Sequence, residues 1–256
     1  MIELYHWEPV SHSARTLICL HEIGVEYQGH YVDLLEFEHF GADFLALNRL
    51  AQVPVLRTNG VCLTESALIS EYLAESFRSA ALAPFDALGW YRTQTWSKWI
   101  DYNLSSSLGT LGTRKYLVAV LANRDRDDLE KAIAAIPVAE RRSGWELAAK
   151  NTYGEDLVTN SRRKVELVVQ RMEQRLAENQ WLVGDAYSIA DINTFAMIHS
   201  LADIVPDLVN TRISPHTMAW RSRIAERPAV REALALGRRF PTGRICAPGP
   251  EHSRWG

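Results

Sequence analysis

Residues 52–73 read QVPVLRTNGVCLTESALISEYL, and this stretch decides the fold. Residues 53–57 and 61–63 are β-like runs on either side of Thr58, Asn59 and Gly60. Asn-Gly between such runs predicts a hairpin, because both central residues of a type I′ turn need positive φ. Residues 66–77 then read as a helix, with Ile69, Tyr72, Leu73 and Phe77 along one side. Pro54 stands where the first run opens, a place in a sheet that tolerates a residue without an amide proton.

Upstream, residues 2–6 form a short strand candidate. Residues 14–23 carry Ala14, Leu17, Ile18 and Leu20 at helical spacing before Gly24, and a second strand is expected near 27–32. The order is β-α-β, a looser segment, a hairpin and a final helix. That is the thioredoxin-like α+β order, assigned to residues 1–79. From Trp90 onward strand signals vanish, and residues 91–108, 127–136, 155–178, 189–201 and 217–223 are amphipathic. They predict an all-α bundle over residues 87–240, joined by a linker at 80–86 that holds Pro84. Residues 241–256, with three prolines and three glycines, read as a loosely structured tail.

Composition narrows the function. With 28 Lys and Arg against 31 Asp and Glu, the chain lacks the positive surplus that nucleic acid selects. The short basic clusters at Arg141-Arg142, Arg162-Arg163-Lys164 and Arg238-Arg239 read as solvated helix faces. No apolar run approaches the ~20 residues of a membrane span, and residues 1–5 show no leader-like pattern, so a cytoplasmic protein is expected. Cys19, Cys62 and Cys246 lie far apart in no metal-binding spacing, so neither a disulfide framework nor a metal site is expected.

A cis Val53–Pro54 bond would turn the backbone amide and carbonyl beside it outward, as an edge able to pair with an extended peptide. Glu65 and Ser66 open the next helix, where unpaired amides and the positive dipole end favour a carboxylate and Glu65 can pair with an ammonium. Glutathione, an extended peptide with an amino-acid-like end, fits both features.

QVPVL, TESALISEYL and, in the helical half, WLVGDAYSIADINTFAMI together resemble the glutathione S-transferase superfamily over nearly the whole chain. The resemblance implies a thioredoxin-like glutathione domain, an all-α domain supplying the second substrate's pocket, glutathione as cosubstrate and a homodimer. Within the last stretch, Ser188 and Asp191 form an S-x-x-D capping box, which the family uses structurally. A narrower likeness points to the LigF-type branch of bacterial β-aryl etherases. It rests on FEHF and its distance to QVPVL, on TESALISEYL, on WSKWIDYN, and on AAIPVAERRSGW between the later helices. The last motif is shared with dehalogenase-like relatives.

A transferase must stabilise the glutathione thiolate, usually with a donor near the first helix. Tyr5 lies within the first strand, which leaves Ser11, His12 and Ser13 as candidates. Ser11, four residues before Arg15, sits as the serine of theta-like members does, whereas Ser13 matches the etherase branch, where Asn-Ser replaces His12-Ser13. Each serine could instead be a helix cap, and His12 reads as a thiolate donor, a carboxylate ligand or a solvated loop residue. His39, Arg49 and Gln52 lie in the segment that meets the glycine carboxylate in the family. Trp7, Trp96, Trp99, Tyr102, Asn103, Ser106 and Trp145 are candidates for the second-substrate pocket, against the alternative that an aromatic stripe is core. The functions to separate are ether cleavage on a small aromatic electrophile, dehalogenation or general conjugation, and a non-catalytic binding module.

Overall fold

The computed structural model describes residues 1–239, so the expected tail at 241–256 and residue 240 lie outside the described residues. The first half runs β1 (Ile2–His6), α1 (Ser13–Ile23), β2 (Gln28–Tyr31), α2 (Ala42–Leu47), β3 (Val55–Thr58), β4 (Val61–Leu63) and α3 (Ser66–Ser76). The sheet order is β2-β1-β3-β4, with β1 parallel to β2 and antiparallel to β3, and β3 antiparallel to β4. Leu4 on β1 sits opposite Leu56 on β3, and both are wholly buried against α1 and α3. Asn59 and Gly60 take φ of 51° and 78°, as the predicted type I′ turn requires, and the Val53–Pro54 bond is cis.

The helical half comprises α4 (Ala87–Gly112), α5 (Val118–Ala122), α6 (Arg126–Ala134), α7 (Ala139–Lys150), α8 (Glu155–Leu176), α9 (Ile189–Ile198), α10 (Leu201–Ile204), α11 (Pro215–Ala225) and α12 (Pro228–Leu234). Asp86 caps α4 by accepting from the Gly89 amide at 2.7 Å. The helices at 118–122, 139–150, 201–204 and 228–234 were not foreseen as separate elements. α7 falls on AAIPVAERRSGW, and Arg141, Gly144, Trp145 and Ala148 are its buried positions. That is a regular i, i+3, i+4, i+7 stripe, hidden from a hydrophobicity reading because an arginine and a glycine occupy half of it. Arg141 is 6 % exposed, which corrects its assignment to a solvated face.

Two apolar clusters hold the halves together. One joins Leu4, Ile18 and Leu73 of the first half to Leu104, Val168 and Phe195 of the second. The other joins Trp7, Leu34 and Val55 to Leu117, Ile133 and Trp145. The seam between them is open, because Leu108 and Met197 of the first cluster face Val10, Leu34 and Trp145 of the second across a cleft.

Candidate active site

The cleft at that seam is open to solvent, with about 680 Å³ of space counted out to its mouth, and continues into a smaller one of about 460 Å³ counted the same way. His12, Gln52, Val53 and Ser105 line both, so the two meet at the loop before α1 and at the cis-proline.

The smaller cleft is built around the start of α3. Glu65 is its N-cap residue, held at φ 66° and ψ 99°, and Ser66 begins the helix. Arg15, 1 % exposed, reaches in from α1. Its Nη1 donates to Ser66 Oγ at 3.2 Å, its Nη2 to Asp101 Oδ1 at 2.5 Å and its Nε to the Asn193 carbonyl at 3.0 Å. One guanidinium therefore fixes α1, α3, α4 and α9 relative to one another. Asp101 and Glu65 line the same cleft, and Glu65's carboxyl is held above its ordinary range, first by burial and then by the Asp101 charge. Two carboxylates beside a helix N-terminus make a receptor for a zwitterion, with the ammonium going to the acids and the carboxylate to the amides.

The loop at residues 7–13 separates the three thiol-activating candidates. Ser11 Oγ donates to the Glu8 carbonyl at 2.7 Å, accepts from the Ser13 amide at 3.2 Å, and lines the larger cleft. His12 lines both clefts, and burial, followed by the Arg15 charge, brings its pKa down to about 4, so it is neutral at pH 7. Ser13 is wholly buried, lines neither cleft, and its Oγ accepts from the Trp7 amide at 3.1 Å. Its hydroxyl is turned inward as a brace for the loop.

His39 and Gln52 line the larger cleft. Burial, then the charge of Arg141, lowers His39 to about 3, and its Nδ1 is buried without a hydrogen-bond partner among the described residues. Arg49 is exposed and lines neither cleft. Trp145 does line the larger cleft, whereas Trp7 is 0 % exposed in the core. Tyr102 is 71 % exposed with Lys164 over its ring, and Asn103 is buried with its amide donating to the Trp99 carbonyl. Trp96 donates to Thr194, and Trp96 and Trp99 both stack with Arg171.

Ser106 is one residue off the face that α4 presents. Asp101, Ser105, Leu108 and Gly109, at i, i+4, i+7 and i+8, are the cleft-lining set. Sequence reasoning missed Ser105, Asp101 and Arg141. Helical phasing from Leu108, a core position, would have found the first two.

Asp191 stands apart from both clefts. Its carboxylate accepts from the Ser188 amide at 3.2 Å, the Leu182 amide at 3.1 Å and Trp220 Nε1 at 2.8 Å, while Ser188 Oγ accepts from the Ala190 amide at 3.3 Å. The capping box is formed, and burial raises Asp191 to about 6.

The sequence pattern described as Glutathione S-transferase, N-terminal domain, matches residues 1–75, and that of the C-terminal domain matches residues 130–228. The chain belongs to the glutathione S-transferase family. It is 31% identical to Protein LigF of Sphingobium sp. (strain NBRC 103272 / SYK-6) across 93% of this chain and 95% of that one. The crystal structure of beta-etherase LigF superimposes with a TM-score of 0.85, covering 91% of this chain and 98% of the other. A probable glutathione S-transferase GSTF1 of Oryza sativa subsp. japonica is 24% identical over 87% of this chain and 90% of its own. As a glutathione S-transferase the chain is an enzyme that uses glutathione. Among the described residues, no helix is long and apolar enough to cross a membrane and no cluster of metal-ligating side chains occurs.

Proposed function

We propose that this glutathione S-transferase cleaves β-aryl ethers of lignin-derived aromatic dimers, through attack of the glutathione thiolate on the ether-bearing carbon. The end-to-end likeness to LigF, described as a beta-etherase, carries the reading. In this reading the γ-glutamyl end lies at Glu65 and Ser66, and the peptide's backbone pairs with Val53 beside Pro54. The thiol then falls where the two clefts meet, at Ser11 and His12. Gln52 and His39 face the glycine end, and the exposed Arg49 lies outside that contact. Ser11, by turning its single hydroxyl proton away from the Glu8 carbonyl, or neutral His12 donates to the thiolate, and Ser13 holds the loop.

The larger cleft suits an aromatic substrate, since its walls mix aliphatic side chains with Trp145. Displacement next to a ketone needs only an ionised, aligned thiol and a stabilised leaving oxygen. The test is one assay of fluorogenic β-aryl ethers of both stereochemistries, run beside dihalomethane and chlorodinitrobenzene. Phenol release with formation of a thioether is expected. Turnover of the halides without phenol release would replace ether cleavage by dehalogenation or general conjugation, and no turnover of any substrate would favour a binding module. The protein is proposed to act as a cytoplasmic homodimer, for which light scattering should return twice the chain mass of 29.0 kDa.

A further inference from the structure

Helix α4 buries two neighbouring serines at the seam and treats them differently. Ser107 is wholly buried, and its Oγ donates back to the Asn103 carbonyl at 2.7 Å, the usual recourse of a serine inside a helix. Ser105, 1 % exposed, makes no such bond to the Asp101 carbonyl, and its hydroxyl has no hydrogen-bond partner among the described residues. It faces open space instead. With His12, Gln52 and Val53 it lines both clefts, and it is the only one of these four that belongs to the helical half. Leu108 and Gly109 on the same face of α4 line the larger cleft alone, and Asp101 the smaller alone.

The junction has few protons free to be donated. That of Ser11 lies on the Glu8 carbonyl at 2.7 Å, and Ser13 lines neither cleft. The charged and titratable groups around the junction are His12 and Arg15, Glu65 at the start of α3, Asp101 on α4, and His39 and Arg141 in the larger cleft. Glu65 and Asp101, when ionised, oppose another negative charge beside them, and Arg15 spends its guanidinium on Ser66, Asp101 and the Asn193 carbonyl. A thiolate at the junction therefore depends on neutral donors, and Ser105 has a proton with no existing bond to break.

We infer that Ser105 is a catalytic residue whose hydroxyl donates to the glutathione sulfur from the helical half and holds it as the thiolate. The inference rests on the placement of the thiol where the two clefts meet, and it requires no particular second substrate. The thiol's proton leaves to solvent, while the serine keeps its own and lends it as a hydrogen bond. A hydroxyl serving only the second substrate would face the larger cleft alone, as Leu108 and Gly109 do.

The test is ultraviolet titration of the thiolate on glutathione-saturated wild type, Ser105→Ala and Ser11→Ala. Alanine at 105 removes no hydrogen bond within the described chain and favours the helix, so the variant should fold. It should raise the bound thiol's pKa by about one unit, a tenfold smaller ratio of thiolate to thiol at a given pH. S-methylglutathione, which has no thiol to ionise, should bind wild type and Ser105→Ala equally in calorimetry. An unmoved pKa in Ser105→Ala beside a raised one in Ser11→Ala overturns the inference and leaves the thiol's placement standing, whereas an unmoved pKa in both overturns the placement as well. Equal losses of affinity for glutathione and S-methylglutathione would make Ser105 a packing residue and overturn the inference. An unmoved pKa with slowed ether turnover gives the hydroxyl to the second substrate and overturns it too. A raised pKa in Ser105→Ala, with no ether turnover by the wild type, supports the inference and removes ether cleavage.

Discussion

Glu65→Gln tests the zwitterion receptor with little disturbance of the backbone. Glu65 sits at φ 66°, in the left-handed region, so a change to alanine or glycine alters backbone preference as well as charge. Glutamine keeps size and branching and removes only the anion. A hydrogen bond to a charged partner contributes about 1.5–3 kcal/mol. Asp101 lines the same cleft and retains part of the attraction, which places the expected loss toward the lower part of that range. At ~1.5–2.5 kcal/mol, the dissociation constant for glutathione rises roughly 10- to 70-fold.

Calorimetry measures this directly, and glutathione lacking its α-amino group supplies the control. The wild type should bind that analogue about as weakly as Glu65→Gln binds glutathione, and the variant should barely distinguish the two ligands. The sign of the pH dependence follows from the raised carboxyl of Glu65. An ammonium prefers the ionised form, so affinity in the wild type improves as pH rises through that elevated pKa, and the variant stays flat there. A variant within twofold of wild type, or an equal loss of affinity for the analogue, would refute the placement of the ammonium.

Ser11→Ala should raise the pKa of bound glutathione's thiol in ultraviolet titration, and Ser13→Ala should leave it unmoved while lowering stability by roughly 1–2 kcal/mol through the orphaned Trp7 amide; the reverse pattern would restore Ser13 as the thiol's partner. Asp191→Ala strips the acceptor from the Leu182 and Ser188 amides and Trp220 Nε1, so at ~1–3 kcal/mol per buried donor it should cost ~3–9 kcal/mol in urea unfolding, without changing the folded fraction's affinity for glutathione. A cost below about 1 kcal/mol would show that the box is not structural. Burial holds His199 near 4 and His39 near 3, below the unfolded value of 6.5, so the unfolded state takes up protons first and stability is lost as pH falls from about 6.5 toward 4. Asp191, raised to about 6, opposes this by gaining stability on the same descent, and His199→Gln should therefore flatten the net loss seen in denaturant titrations at stepped pH; an unchanged slope refutes the burial argument.

How far the sequence reached depended on whether a feature was written locally. The hairpin was legible because Asn59 and Gly60 alone determine the turn, and the helix mouth because Glu65 and Ser66 are adjacent to the run that they open. Pro54, Gln52 and the capping box at Ser188 and Asp191 are likewise contained in short contiguous motifs. The site side chains of the second half obey a different rule. Whether Ser105 or Ser106 faces the cleft is a matter of about 100° of helical phase, and nothing in the serine run itself distinguishes them. The phase is set by Leu104 and Leu108, which enter the core, and through them by helices far along the chain.

The same difference explains why Arg141 was taken for a surface residue. In sequence it is half of an Arg-Arg pair beside Glu140, with the composition of a solvated face. In the fold its neighbour Arg142 bonds the Ile136 carbonyl at the helix margin, and Arg141 occupies the buried stripe with Gly144, Trp145 and Ala148. The glutathione half is organised by backbone groups that many sequences can supply. The facing wall depends on individual side chains, and substrate choice within this family should therefore be set by positions such as Arg141, Trp145 and Ser105 rather than by the motifs that make the fold recognisable.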